Sequence, residues 1–181
     1  MNSDLQQLQQ DLAHSLHGLD SIQTQFRSLS RLDCWSIQQI VEHLLLTYKS
    51  TEDALNARLA KGTPTRAKAS LVQHVKQYAV MSLGYFPTGR KAPLPVTPPS
   101  PTPHPLSGDA LTHAVAKQLT SLDQVCYEAE SFFGFTSRFA THAVLGPLHI
   151  DDWRRFQLVH GRHHVKQILA IRRSHNLQPV R

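Results

Sequence analysis

An all-α fold, a helical bundle with irregular connections, is what this sequence predicts, and three observations lead there. Apolar residues recur at intervals of three and four along four long segments. No stretch shows the strict alternation of a half-buried strand. A proline-dense stretch, PTGRKAPLPVTPPSPTPHPLSG, is far longer than a turn and divides the long segments into two pairs. Its prolines carry no backbone donors, so they sustain neither helix nor ladder. There is no internal repeat.

Residues 4 to 29 carry Leu5, Leu8, Leu12, Leu16, Leu19, Ile22 and Phe26, which predicts one amphipathic helix. Ser36 is placed to cap the next, with Gln39 three residues on completing a capping box. Ile37, Ile40, Val41, Leu44, Leu45, Tyr48, Leu55 and Leu59 continue its buried side until KGTPT stops it. At about 1.5 Å per residue it spans a bundle, roughly 37 Å. A shorter helix is expected over residues 67 to 85, where valines dilute the propensity and Gly84 ends it. The proline-rich crossover, residues 87 to 107, is expected to be extended and to lie along a surface. Residues 109 to 132 resume the helical period through Leu111, Val115, Leu119, Leu122, Val125 and Ala129. FFGFTSRFATHAVLGPL breaks it, and Asp151 or Asp152 then opens a last helix reaching about Arg173, where carboxylates meet unpaired amides. With 181 residues, 40% of them hydrophobic, the chain suits one domain over 1–181, since neither half carries a complete core.

The formal charge of +6 arises from 19 Lys and Arg against 13 Asp and Glu, with 12 His that can add to it in acid. The basic residues are dispersed except for a denser run from Arg154 to Arg173. No zinc-finger spacing, phosphate-binding Gly-rich loop or aromatic-interleaved basic strand accompanies them, so the sequence gives no clear nucleic-acid partner. Two cysteines, Cys34 and Cys126, are too few for a disulfide scaffold and form no CxxC unit. The polar, acidic start MNSDLQQLQQDL lacks the pattern of a signal peptide, and no apolar run approaches the roughly 20 residues needed to span a bilayer. A cytoplasmic protein with no membrane partner is expected.

The chemistry concentrates in LVHGRHHVKQI, residues 158 to 168. On a 3.6-residue helix Trp153, Phe156, His160, His164, Gln167 and Ile171 form an inward stripe bordered by Val159, His163 and Ile168. His160 and His164 are one turn apart and can address a common metal ion. Two ligands do not make a stable site, and His43, bordering the apolar stripe of the Ser36-capped helix, is the best third. Three neutral imidazoles suit Zn, Ni or Fe and leave positions open for water or a substrate atom. The alternative is a hydrogen-bonded histidine pair in a polar notch. His163 is expected behind the ligands or at the rim, and Gln167 either orients a ligand or a bound water or makes a structural hydrogen bond. Cys34 lies outside the capped helix and is not placed on the metal, and Cys126 reads as a small buried thiol. His142, His149, Asp151 and Asp152 are expected to face solvent. Neither a nucleophile elbow nor paired carboxylates at helical spacing are present, which argues against a serine hydrolase and a ferritin-like dinuclear site.

Two stretches, CWSIQQIVEHLLL (34 to 46) and THAVLGPLHIDDWRRFQLVHGRHHVKQI (141 to 168), together with FPTGRKAP and the proline run, resemble the DinB-like superfamily, also described as the YfiT-like metal-dependent hydrolase or thiol-transferase group. The resemblance covers nearly the whole chain. It implies a four-helix bundle of up-down-down-up topology with a long crossover between its second and third helices. It also implies one divalent metal ion held by a histidine of the second helix and two of the last. Those positions are His43 of VEHL and His160 and His164 of HGRHHVKQ, with Gln167 where a glutamine commonly follows. A His-Pro pair of relatives is His142-Ala143 here. Relatives include thiol-dependent transferases and a mycothiol-dependent isomerase, and relatives of this fold often form dimers.

The function expected is therefore that of a metal-dependent enzyme transferring a low-molecular-weight thiol, its second cofactor, to an electrophile. A metal-dependent hydrolase and a non-enzymatic metal-binding or structural protein are the alternatives. Partners implied are a small-molecule thiol or electrophile and a second copy of the chain in a homodimer.

Overall fold

Residues 1–30, 34–86 and 92–177 are described from a computed structural model. Helix α1, Ser3–Leu16, starts where the Asn2 side chain accepts from the Asp4 amide at 2.9 Å. It buries Leu5, Leu8, Leu12 and Leu16 completely. The expected continuation to residue 29 does not occur. The Asp20 carboxylate accepts from the amides of Ile22 and Gln23, both at 2.8 Å, and starts a short 3₁₀ turn, Gln23–Gln25, instead. A side chain that offers amides an acceptor outside the helix competes with helix propagation, and here it wins. Ile22, counted into the apolar period, is exposed.

Helix α2, Ile37–Lys61, begins at the expected capping box of Ser36 and Gln39 and stops at Gly62, whose φ of 63° lies in the left-handed region open to glycine. Helix α3, Leu71–Met81, is also boxed, by Ser70 and Gln73, but buries only Val80. It starts four residues later than expected and ends at Met81. Helix α4, Gly108–Phe133, is capped by Ser107 and buries Leu111, Val115, Leu119, Leu122, Cys126 and Ala129. A two-stranded antiparallel ribbon follows, β1 Ala140–His142 with β2 Gly146–Leu148, in the register Ala140 to Leu148. Three residues per strand are too few for alternation to register, so the expectation of no strand fails here. Helix α5, Ile150–Ser174, closes the chain, with Asp152 accepting from the His149 amide at 3.1 Å.

Paired side chains fix the directions of the four long helices. Asp4 pairs with Arg155, Asp11 with Arg162, and the carbonyls of Ser15 and His17 with Arg172, so α1 and α5 run parallel. The Gly108 amide donates to Leu19 while the Asn2 amide donates to Asp123, so α4 opposes α1. His43 meets His160 and Thr51 meets Gln157, so α2 opposes α5. Since α2 and α4 both oppose the parallel α1 and α5, they run together, joined where Glu52 accepts from Gln118 and Ser121. The bundle is up-down-down-up, with α3 lying against α5 as a subsidiary helix.

Two parallel neighbours cannot be joined by a tight turn, and the chain between α2 and α4 must return the length of the bundle. Of the expected crossover, residues 87–91 lie outside the described residues. Residues 92–107 run back along the first half of α2, held by its polar side chains. His43 Nδ1 donates to the Val96 carbonyl at 2.6 Å, Gln39 to Pro99 at 3.0 Å and Gln38 to His104 at 2.8 Å, while Gln38 accepts from the Leu106 amide at 2.8 Å. Among the described residues, no helix is long and apolar enough to cross a membrane.

Candidate metal centre

A histidine belongs on a buried helix face only if its nitrogens find partners. His43, His160 and His164 are about 95% buried, at 5%, 5% and 6% exposure. The antiparallel packing of α2 on α5 brings His43 within reach of a pair already set one turn apart. His43 Nε2 is 3.3 Å and His164 Nε2 3.0 Å from His160 Nε2, and the candidate ligand atoms of all three lie within 4.8 Å of one another.

The far nitrogens decide what the near ones can do. The Val96 carbonyl can only accept, so His43 carries its proton on Nδ1 and turns a bare Nε2 lone pair inward. His164 Nδ1 donates to Gln167 Oε1 at 2.8 Å, which leaves its Nε2 bare as well. Gln167 in turn donates from its amide to His163 Nε2 at 3.1 Å. His160 Nδ1 is buried with no partner among the described residues. Two lone pairs thus face a third ring that holds at most one proton between them. Tetrahedral nitrogen ligands at the usual metal distance stand about 3.3 Å apart, close to the separations of His160 Nε2 from His43 Nε2 and His164 Nε2. The donor set fits a divalent cation.

Burial lowers the pKa of each ring. Desolvation is the largest cause for His43, opposed by the Val96 hydrogen bond. His164 falls to about 3 through desolvation and the neighbouring His43. Desolvation, then His164 and His43, hold His160 well below the ordinary value. Neutral rings are the metal-binding form. The walls are aromatic: Trp35 lies 4.9 Å from the His43 ring, Phe86 4.8 Å from His160 and Phe156 5.5 Å from His160. Among the described residues no carboxylate hydrogen-bonds any of the three.

Other expected residues separate. His163 is half-buried, with its ring 5.2 Å from that of His164. Gln167, assigned to the inward stripe, is exposed and reaches back to the site by its amide. Cys34 stays off the cluster, and Cys126 is buried, its thiol pushed up to about 12 mainly by desolvation. Asp151 is exposed and binds Arg154, and Asp152 caps α5. His142, expected in solvent, is half-buried with its ring 4.7 Å from Phe156. Its Nδ1 accepts from the amides of Val144 and Leu145, both at 3.1 Å, and desolvation lowers its pKa to about 4. Sequence reasoning missed Phe86 as a wall and the Val96 carbonyl as the support of His43. Both sit in segments without periodicity, where no local signal marks which group points inward.

The chain belongs to the family described as Protein of unknown function (DUF1569), which matches residues 2–170 and so includes all three histidines. No curated protein matches it, and no solved structure does.

Proposed function

We propose that this DUF1569 protein is a metal-dependent enzyme in which His43, His160 and His164 hold one divalent cation, Zn, Ni or Fe, and that it transfers a low-molecular-weight thiol to an electrophile. The observation that carries the proposal is the convergence of Nε2 atoms whose opposite nitrogens are fixed by Val96 and Gln167. Bundle direction and the division of one histidine on α2 and two on α5 agree with the DinB-like resemblance, and membership of that superfamily is part of the proposal.

A cation held there supplies Lewis acidity that makes a thiol or a water more acidic. The chain's own residues orient and protect. Val96 and Gln167 hold two rings in their binding tautomer, and burial keeps the histidines neutral. Trp35, Phe86 and Phe156 exclude bulk water. Thiol transfer is favoured over hydrolysis because water activation calls for a nearby base. Among the described residues no carboxylate bonds the triad, and His142, accepting at Nδ1, carries its proton on Nε2 and is a donor. In the transfer the thiol loses its proton to solvent, its sulfur bonds the electrophilic carbon, and the leaving group departs with that carbon's bonding pair.

Metal analysis of the purified chain should give about one ion per chain, lost in each of His43→Ala, His160→Ala and His164→Ala. Unchanged metal content in all three variants would overturn the site. Metal-dependent consumption of a thiol with chlorodinitrobenzene supports transfer. Cleavage of nitrophenyl acetate without added thiol would replace it with hydrolysis, and a tightly held ion with neither activity would make the site structural.

A further inference from the structure

The basic run of α5 is not absorbed by the triad. Arg155, Arg162 and Lys166, spaced by seven and four, share one helix face. They line a cavity of about 430 Å³ with Phe86 and His163, and among the described residues no carboxylate lines it. That volume lies within the usual range for a small-molecule site. The two guanidinium groups are steadied from outside the cavity. Arg162 Nε donates to Asp11 at 2.7 Å, and Arg155 Nε to the Met81 carbonyl at 3.2 Å, with Asp4 3.5 Å from its Nη1. Each keeps guanidinium N–H groups without a partner among the described residues. Lys166 is exposed and pairs with no acid among them. With Asp4 and Asp11 counted against the three cations, the neighbourhood remains net positive.

The cavity also adjoins the metal centre. Phe86 lines it, and the same ring lies 4.8 Å from His160 and 5.2 Å from His163. Two neighbouring rings, Phe86 and His163, therefore line the cationic pocket on one side and meet the triad on the other.

We propose that this cavity binds the anionic end, a carboxylate or a phosphate, of a small ligand whose other end reaches the histidines past Phe86. Anion capture itself needs no metal; only the claim about the reacting end rests on the proposed function. Charge-assisted hydrogen bonds from a pre-oriented Arg and a mobile Lys suit either oxyanion.

Calorimetric titration of the metal-free full chain with succinate and with inorganic phosphate at low salt tests the first half, and the preferred probe tells carboxylate from phosphate. Binding is expected to weaken about tenfold or more in Lys166→Glu, whose exposed, unpaired side chain leaves folding intact, and less in Arg162→Gln. Binding of neither probe, or equal binding in Lys166→Glu, overturns the pocket. With metal-loaded protein, mercaptosuccinate should show a lower KM than uncharged mercaptoethanol, and Lys166→Glu should raise only the former. Equal KM values for the two thiols overturn the link to the triad. Anion binding by a chain that takes up no metal would leave the pocket standing and remove the metal-dependent function.

Discussion

Helix α5 carries two buried polar clusters six residues apart, and they are built on opposite terms. Arg154, 6% exposed, gives Nη1 and Nη2 to the two oxygens of Glu130 and reaches Asp123 at 3.3 Å and Asp151 at 3.1 Å. Burial opposes its charge, but the Glu130 hydrogen bond and the surrounding carboxylates hold its pKa above the ordinary value. Asp123 is shared with the Asn2 amide, so chain groups close the cluster's valences. Around His160, at similar burial, two lone pairs and an Nδ1 without a partner among the described residues are left over. Buried polarity by itself therefore says little about function. The informative feature is a donor set that the chain completes on its outer side and leaves open on its inner side.

The comparison breaks most visibly at Arg154. Arg154→Met strands Glu130 without its cation and should cost about 3–5 kcal/mol of stability, read as a lower urea midpoint, while metal content stays unchanged. Loss of metal in that variant would show that the two clusters are one unit.

Acid should separate them next. The folded pKa values of the triad and of His142 lie below the ordinary 6.5, so the unfolded chain binds more protons in that range. Stability of the metal-free protein is then complete above pH 6.5 and falls as pH drops from there towards the His142 value of about 4 and the His164 value of about 3. Urea midpoints between pH 7 and pH 5 measure it. The slope should shrink in His164→Ala, which removes one of the groups that must charge on unfolding in acid.

Gly161 sharpens the contrast at closer range. A Cβ there would stand 2.2 Å from Leu8 Cδ1, so Gly161→Ala requires Leu8 to repack or α5 to move away from α1 beside His160. Overpacking of this kind costs about 1–3 kcal/mol, and metal affinity should drop with it; a stability loss with affinity intact would show that the triad tolerates helix displacement. The smallest effect is expected at Gln167. Gln167→Leu removes the acceptor of His164 Nδ1 and should weaken metal binding about tenfold, with the melting temperature unmoved because the side chain is exposed.

Much of this was legible before packing was known. The capping boxes at Ser36 with Gln39, the stop at Gly62 and the turn between His160 and His164 are set within a few residues, where backbone geometry leaves few choices. The false extension of the first helix shows the limit of periodicity. Leu19 and Phe26 keep the spacing and are buried or half-buried, yet Asp20 diverts the backbone. Gln167 shows another, since a stripe position can lie exposed at the edge and still serve the site through its amide.

By itself the sequence determined the helical period of each segment, where most helices start, and that two imidazoles of the last helix share a face, because a helix repeats every 3.6 residues wherever it is placed. The sequence offered His43 as the third ligand, and tertiary structure brought it to them across 117 residues of chain and set a proline-segment carbonyl to hold it. It also decided that Phe86 stands between the triad and a cationic cavity. Those neighbours depend on helix direction and on the path of the crossover, which balance many weak contacts over the whole bundle and leave no mark at any one position.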